Sequence, residues 1–373
     1  MEFIVGLGKA LMTIVYGILK LFPVVPGKVL FLSRQSDQLS LDFCMLKKEL
    51  VSQSEGRVKI VAICNRLDDS KKGLPGFALD TLKSMYHLAT AQVCVLDAYW
   101  PAVCMLKHKK SLTVIQMWHA IGKIKKSGYQ TLDRESGRSS KTARLLCMHR
   151  NYDVIIAGGK AFNRFYCESF DTTEDKLLNI GLPRIDHLLL TQEENRRRVY
   201  ETYPELKEKK VILYAPTFRR YSELNWEPLL DAIDFTQYVL LLKSHPNQKL
   251  TCDRAGVLLC PEFTAVDLLA VCDYLITDYS AIALEAAVLN KKTYYYLYDF
   301  EEYTAKNGIN VNPFESMPGC AFYDGGRLME ALTTEVYPQE VLDAYRRNYL
   351  PENLGSSTQL LAQTVLTYMK ENR

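Results

Sequence analysis

The chain has 373 residues and a formal net charge of +3, from 46 Lys and Arg against 43 Asp and Glu. With 48% apolar and 24% charged residues it is not a mostly disordered chain, and its length points to two domains. So small a net charge supplies no global field for nucleic acid, and the ten cysteines, without a Cys-x-x-Cys pair or His–Cys clustering, read as reduced core residues and not as zinc ligands.

The first 25 residues form a segment of their own. Between Lys9 and Lys20 lie ten uncharged residues, too few to span a bilayer. On a helix, Glu2, Lys9, Thr13 and Lys20 fall on one line, and Phe3, Ile4, Leu7, Leu11, Ile14, Val15, Ile18, Leu19 and Phe22 cover the remaining surface. This pattern predicts an amphipathic helix lying in a membrane interface, with docking on the protein's own core, or half of a hairpin buried in a partner, as the other readings.

Short β-branched and aromatic runs then alternate with helical stretches: Lys28–Ser33, Val58–Asn65, Gln92–Asp97, Leu112–Trp118 and Asp153–Ala157. The alternation predicts βαβ units and a parallel sheet. In such sheets ligands bind beyond the carboxyl ends of the strands. There the run Gln116–Lys126 ends a strand with His119, a residue able to take a proton near neutral pH, and follows it with Lys123, Lys125 and Lys126, which could attract an anionic lipid diphosphate.

A charge-rich stretch, Thr191–Lys210, marks a domain border near residue 190. Beyond it the strand pattern recurs at Lys210–Ala215, Tyr238–Lys243, Val257–Cys260, Tyr274–Thr277 and Thr293–Tyr298. The loop after the first of these offers Arg219 and Arg220 as forks for a phosphate, and the next strand ends with Lys243 and His245. The segment Asp273–Glu285 reads as strand, tight turn and a helix opening at Ser280, whose backbone N–H groups form an anion site. Thr277 and Asp278 lie in that turn, and Glu285 is a carboxylate in an apolar helix that needs a partner such as a ribose or polyol hydroxyl. The final stretch, Pro338–Arg373, reads as two helical pieces broken around Pro351–Ser356, a tail expected to pack back on the first domain. No Walker A loop, no Gly-x-Gly-x-x-Gly at a strand end and no carboxylate triad at metal spacing occurs, so the expectation is chemistry without metal or cofactor.

Taken in order, Trp118-His119, Gly181–Asp186, Leu213–Arg219, Ser244–Pro246, Thr277–Ser280 and Tyr298–Tyr303 resemble the motif series of the CDP-glycerol glycerophosphotransferases, the primases and polymerases of wall teichoic acid. The resemblance covers roughly residues 28–335. It implies a GT-B arrangement of two Rossmann-like domains facing across a cleft, here residues 26–190 for the acceptor and 191–373 for the donor, with residues 1–25 as a membrane-associating helix. It implies peripheral attachment at the cytoplasmic face of the cell membrane, CDP-glycerol as donor and a polyprenyl-diphosphate-linked saccharide as acceptor. By the same resemblance His119 and His245 are the catalytic residues, and Arg219 and Ser280 bind the donor diphosphate. The chain departs from the motifs at Ala120, Ala281 and Asn307, which leaves CDP-ribitol or another CDP-alcohol open as donor. The length suits a primase better than a processive polymerase. A UDP-sugar glycosyltransferase and a non-catalytic membrane scaffold are the rival readings.

Overall fold

The structure, a computed structural model, describes residues 2–66, 74–135, 137–217, 219, 225–243, 252–334 and 336–372. It divides into two compact units. Unit 1 comprises Met1–Ala120, Ser127–Asp186 and Pro351–Arg373, and unit 2 comprises Ile121–Lys126 and His187–Leu350.

Unit 1 is built on six parallel strands: β1 (Lys28–Ser33), β2 (Lys59–Cys64), β3 (Val93–Leu96), β4 (Thr113–Gln116), β5 (Val154–Ile156) and β6 (Leu177–Leu178). Their order in the sheet is β2-β1-β3-β4-β5-β6. Strands β1, β3 and β4 are buried along their whole length, as expected where helices cover both faces of a parallel sheet and the sequence shows an unbroken apolar run. One face of the core joins Val29, Phe31, Phe43, Leu46, Val93, Val95 and Ile115 to Leu361, Ala362, Val365 and Met369 of the helix Ser357–Glu371. The tail thus completes the core of unit 1. Its helix is started by Asp186, whose carboxylate accepts the Ser357 and Thr358 N–H groups at 3.1 and 2.7 Å. Gly181 is required nearby: its φ is +71°, and a Cβ would lie 2.7 Å from Ile185 Cδ1 and 2.8 Å from Pro351 Cγ.

Unit 2 repeats the plan with β7 (Lys210–Tyr214), β8 (Tyr238–Leu242), β9 (Val257–Leu258), β10 (Tyr274–Thr277), β11 (Lys292–Tyr296) and β12 (Ala321–Phe322), ordered β12-β11-β10-β7-β8-β9 and parallel throughout. The segment Ile121–Lys126 belongs to this unit and not to the first, where the sequence reading placed it. The reason is backbone hydrogen bonding. Lys125 bridges Ile309, Lys126 N donates to Gly308 O, and Asn310 donates from its backbone to Ile124 O and from its side chain to Lys123 O and Lys125 O.

The N-terminal helix, Glu2–Leu19, docks on unit 1 through buried Tyr16. Lys9 and Lys20 donate to Cys147 Sγ and Lys107 O, while Leu7, Leu11, Ile14 and Ile18 are each at least 59% exposed. Among the described residues no helix is long and apolar enough to cross a membrane.

Candidate active site

In both units the strand order reverses beside the first strand, between β1 and β3 in unit 1 and between β7 and β10 in unit 2. Such reversals open a crevice at the carboxyl ends of the strands. The site residues gather there.

In unit 1, Ser33 and Arg34 leave β1, Asp97 leaves β3 and His119 follows β4. Asp97 is buried; its carboxylate accepts Ser33 Oγ at 2.6 Å and Arg34 N at 3.2 Å. Burial pushes its pKa up to about 6, against the smaller opposing effect of those hydrogen bonds. The Asp97 carbonyl lies 2.9 Å from His119 Nδ1. Because a carbonyl only accepts, Nδ1 carries the proton, and Nε2 is the basic nitrogen of the neutral ring. Trp118 sets that ring in place: its φ is +66°, its N–H donates to Gln116 Oε1 at 2.9 Å, and its indole lies 4.1 Å from the imidazole between ring centres. A non-glycine residue in the left-handed region is uncommon and marks a locally over-determined backbone.

Two arginines of this rim escaped the sequence reading. Arg34 donates to Tyr99 O, while its buried Nε–H has no hydrogen-bond partner among the described residues. Arg138 lies over the Tyr99 ring. The signal for Arg34 was available, since it directly follows the apolar run of β1.

In unit 2 the structure corrects several expectations. Arg219 is buried and committed to protein: Nε and Nη2 donate to the two Asp299 oxygens at 2.6 and 3.1 Å, and Nη1 donates to Asp278 at 2.9 Å and to Thr217 O at 2.9 Å. It also packs over the Tyr279, Tyr298 and Tyr303 rings. Burial alone would loosen its hold on the proton, but the two carboxylates overcome this and tighten it. It is the hub of a buried charge cluster and not a fork held out to a phosphate. Asp278 also accepts the Thr217 N–H, and Thr277 Oγ1 donates to Ala215 O, so both hold the loop after β7 against the loop after β10. Thr217 Oγ1 is buried there without a hydrogen-bond partner among the described residues.

Ser280 does not open the helix. The helix runs Ile282–Val288 with Ala281 at its cap position, and Ser280 Oγ reaches Ile282 N only at 3.5 Å. Glu285 is half-buried in that helix. Lys243 is also occupied, donating to Leu259 O and Cys260 O at 3.1 Å each. Of the lysine cluster, Lys123 is buried, and desolvation holds it well below the usual range, so it is no solvated phosphate ligand. Lys125 sits beside Asp278 and Arg219; desolvation lowers its pKa to about 8, with Asp278 opposing the shift and Arg219 adding to it. Lys126 N is the backbone donor to Gly308. His245 and Arg220 lie outside the described residues.

A family model described as CDP-glycerol:poly(glycerophosphate) glycerophosphotransferase matches residues 14–367. The chain is 30% identical over 367 residues to the teichoic acid ribitol-phosphate primase of Bacillus spizizenii, covering 94% of this chain and 93% of that protein. It is also 30% identical over 263 residues to the teichoic acid glycerol-phosphate primase of Bacillus subtilis, 68% of each chain. A solved structure of the wall teichoic acid polymerase TagF shares the fold, with a TM-score of 0.72 at 19% identity over 99% of this chain and 98% of that one. With the described residues of the motif series other than Ser244–Pro246 following the carboxyl ends of strands in two parallel sheets and the family match spanning nearly the whole sequence, the chain belongs to the CDP-glycerol:poly(glycerophosphate) glycerophosphotransferase family.

Proposed function

We propose that the protein moves a polyol phosphate from a CDP-linked polyol to the hydroxyl of a lipid-diphosphate-linked saccharide and releases CMP, at the cytoplasmic face of the membrane. The observation that carries this is His119, held by the Asp97 carbonyl as the tautomer whose Nε2 accepts a proton. In this scheme Nε2 takes the proton of the acceptor hydroxyl as its oxygen bonds to the β-phosphorus, and the bond from that phosphorus to the bridging oxygen of CMP breaks. Arg34 and Arg138, at the same rim, suit an anionic acceptor.

On the donor side, Lys125 takes the phosphate-binding role expected of Arg219. It is the cation of unit 2 beside the Asp278 cluster whose ammonium has no hydrogen-bonded partner among the described residues. The Arg219 cluster keeps the loops after β7 and β10 in shape around it. The exposed apolar side of the N-terminal helix supports attachment to the membrane surface.

The family description favours glycerol phosphate as the group transferred, whereas similarity over 94% of the chain to a ribitol-phosphate primase favours ribitol phosphate. A donor screen separates them. Purified protein is given CDP-glycerol, CDP-ribitol or a UDP-sugar with a lipid-diphosphate disaccharide, and CMP or UDP release is followed. Release of CMP with one CDP-polyol is expected; UDP release would move the protein to sugar transfer, and no release with any donor would leave a scaffold.

A further inference from the structure

A cleft of about 510 Å³ opens in unit 1 beside the N-terminal helix, at the amino ends of β4 and β5, the opposite end of the strands from His119. Its size lies within the range of roughly 300–1,000 Å³ usual for small-molecule sites. Lys9, Lys107, Lys109, Lys110 and Arg150 line it, with Asp153 as the carboxylate. Asp153 is already engaged, accepting the Val114 N–H at 2.7 Å. None of the five cations is ion-paired among the described residues.

The wall and the helix are tied together by neutral contacts. His108 Nε2 lies 2.7 Å from Val103 O and so carries the proton, which leaves Nδ1 to accept from Tyr16 OH at 2.8 Å. Lys109 Nζ donates to Phe22 O at 2.6 Å and Lys9 Nζ to Cys147 Sγ at 3.1 Å. These contacts spend one N–H of each ammonium and leave its charge unbalanced. The same helix presents Leu7, Leu11, Ile14 and Ile18 to the outside, with Leu21 following. An apolar face next to an uncompensated cationic cleft matches the two layers of a lipid surface, acyl chains and phosphates.

We propose that this cleft seats the phosphate of an anionic phospholipid headgroup while the helix's outer face enters the acyl boundary. The proposal rests on the membrane-surface reading above and adds a defined site and a lipid class to it.

Co-sedimentation of the full chain with phosphatidylcholine vesicles, with and without 30% phosphatidylglycerol, tests it. The wild type should bind both and prefer the anionic vesicles. Lys107→Gln with Lys110→Gln should lose about twenty-five-fold of that preference, from roughly fivefold per lysine near a charged surface, and still bind the neutral vesicles. Lys47→Gln with Lys48→Gln, the same charge change on exposed residues elsewhere in unit 1, should retain it. Equal losses in the two double variants would mean diffuse attraction and overturn the site. Binding indifferent to phosphatidylglycerol would overturn the proposal and leave the membrane reading standing. Absence of binding to any vesicle would remove both. Inorganic phosphate at constant ionic strength should compete poorly; full displacement by it would assign the cleft to a free phosphate instead of a lipid.

Discussion

The Asp97 carbonyl fixes which nitrogen of His119 is basic, so exchanging His119 for Ala should remove the proposed base without disturbing unit 2. Turnover is expected to fall by about 10²- to 10⁴-fold, with donor affinity measured by calorimetry unchanged. Arg219 behaves differently. Arg219→Met would leave Asp278 and Asp299 buried without their partner, at a cost of about 3–5 kcal/mol, so its signature is a large drop in the melting temperature. A variant that melted normally and lost only donor affinity would restore the phosphate-ligand reading. Asp97 carries a pH effect of opposite sign to that of most carboxylates. Its folded pKa, about 6, lies above its ordinary value of 3.8, so the stability it contributes is complete below that ordinary value and is lost as pH rises through about 6. Denaturant melts of the wild type and Asp97→Asn between pH 4 and 7 should show the slope flattening in the variant. At this scale the sequence was half legible. It exposed the charged residues at strand ends, because a charge closing an apolar run stands out. It could not show that Arg219 is neutralised by carboxylates that arrive from two other loops, nor that Lys123 is buried.

Strands were read well for a physical reason: in a sheet covered on both faces, burial along the whole strand demands a continuous apolar run. Lys28–Ser33 and Tyr274–Thr277 coincide with β1 and β10, and the other eight runs differ from their strands only at the ends. The two-residue strands β6 and β12 were missed because a pair of residues carries no periodicity. The helix after β10 was placed too early. Ser280 has the chemistry of a cap, but its loop is held by Asp278 and Tyr279, and the helix starts only at Ile282. Another acidic residue does cap a helix from afar. Asp186→Ala should cost about 1–2 kcal/mol and raise the exchange rates of the first amides of the helix Ser357–Glu371, read by hydrogen exchange.

For the molecule as a whole, the polypeptide changes units after Ala120, Lys126, Asp186 and Leu350. A chain ending at Leu350 would therefore lose Leu361, Ala362, Val365 and Met369 from the core of unit 1 although β1 to β6 remain. Thermal unfolding of that truncated chain should show the transition of unit 1 lowered or absent and that of unit 2 near its original temperature. Loss of unit 2 instead would contradict the assignment of the tail.

The same interleaving orders events on the ribosome. Every residue of unit 2 is translated before the last helix of unit 1, so the sheet that begins first is finished last. Until then the nascent sheet carries a bare apolar face where Val29, Phe31 and Val95 await their cover, a period in which a holding chaperone would bind the N-terminal half of the growing chain in preference to the later half.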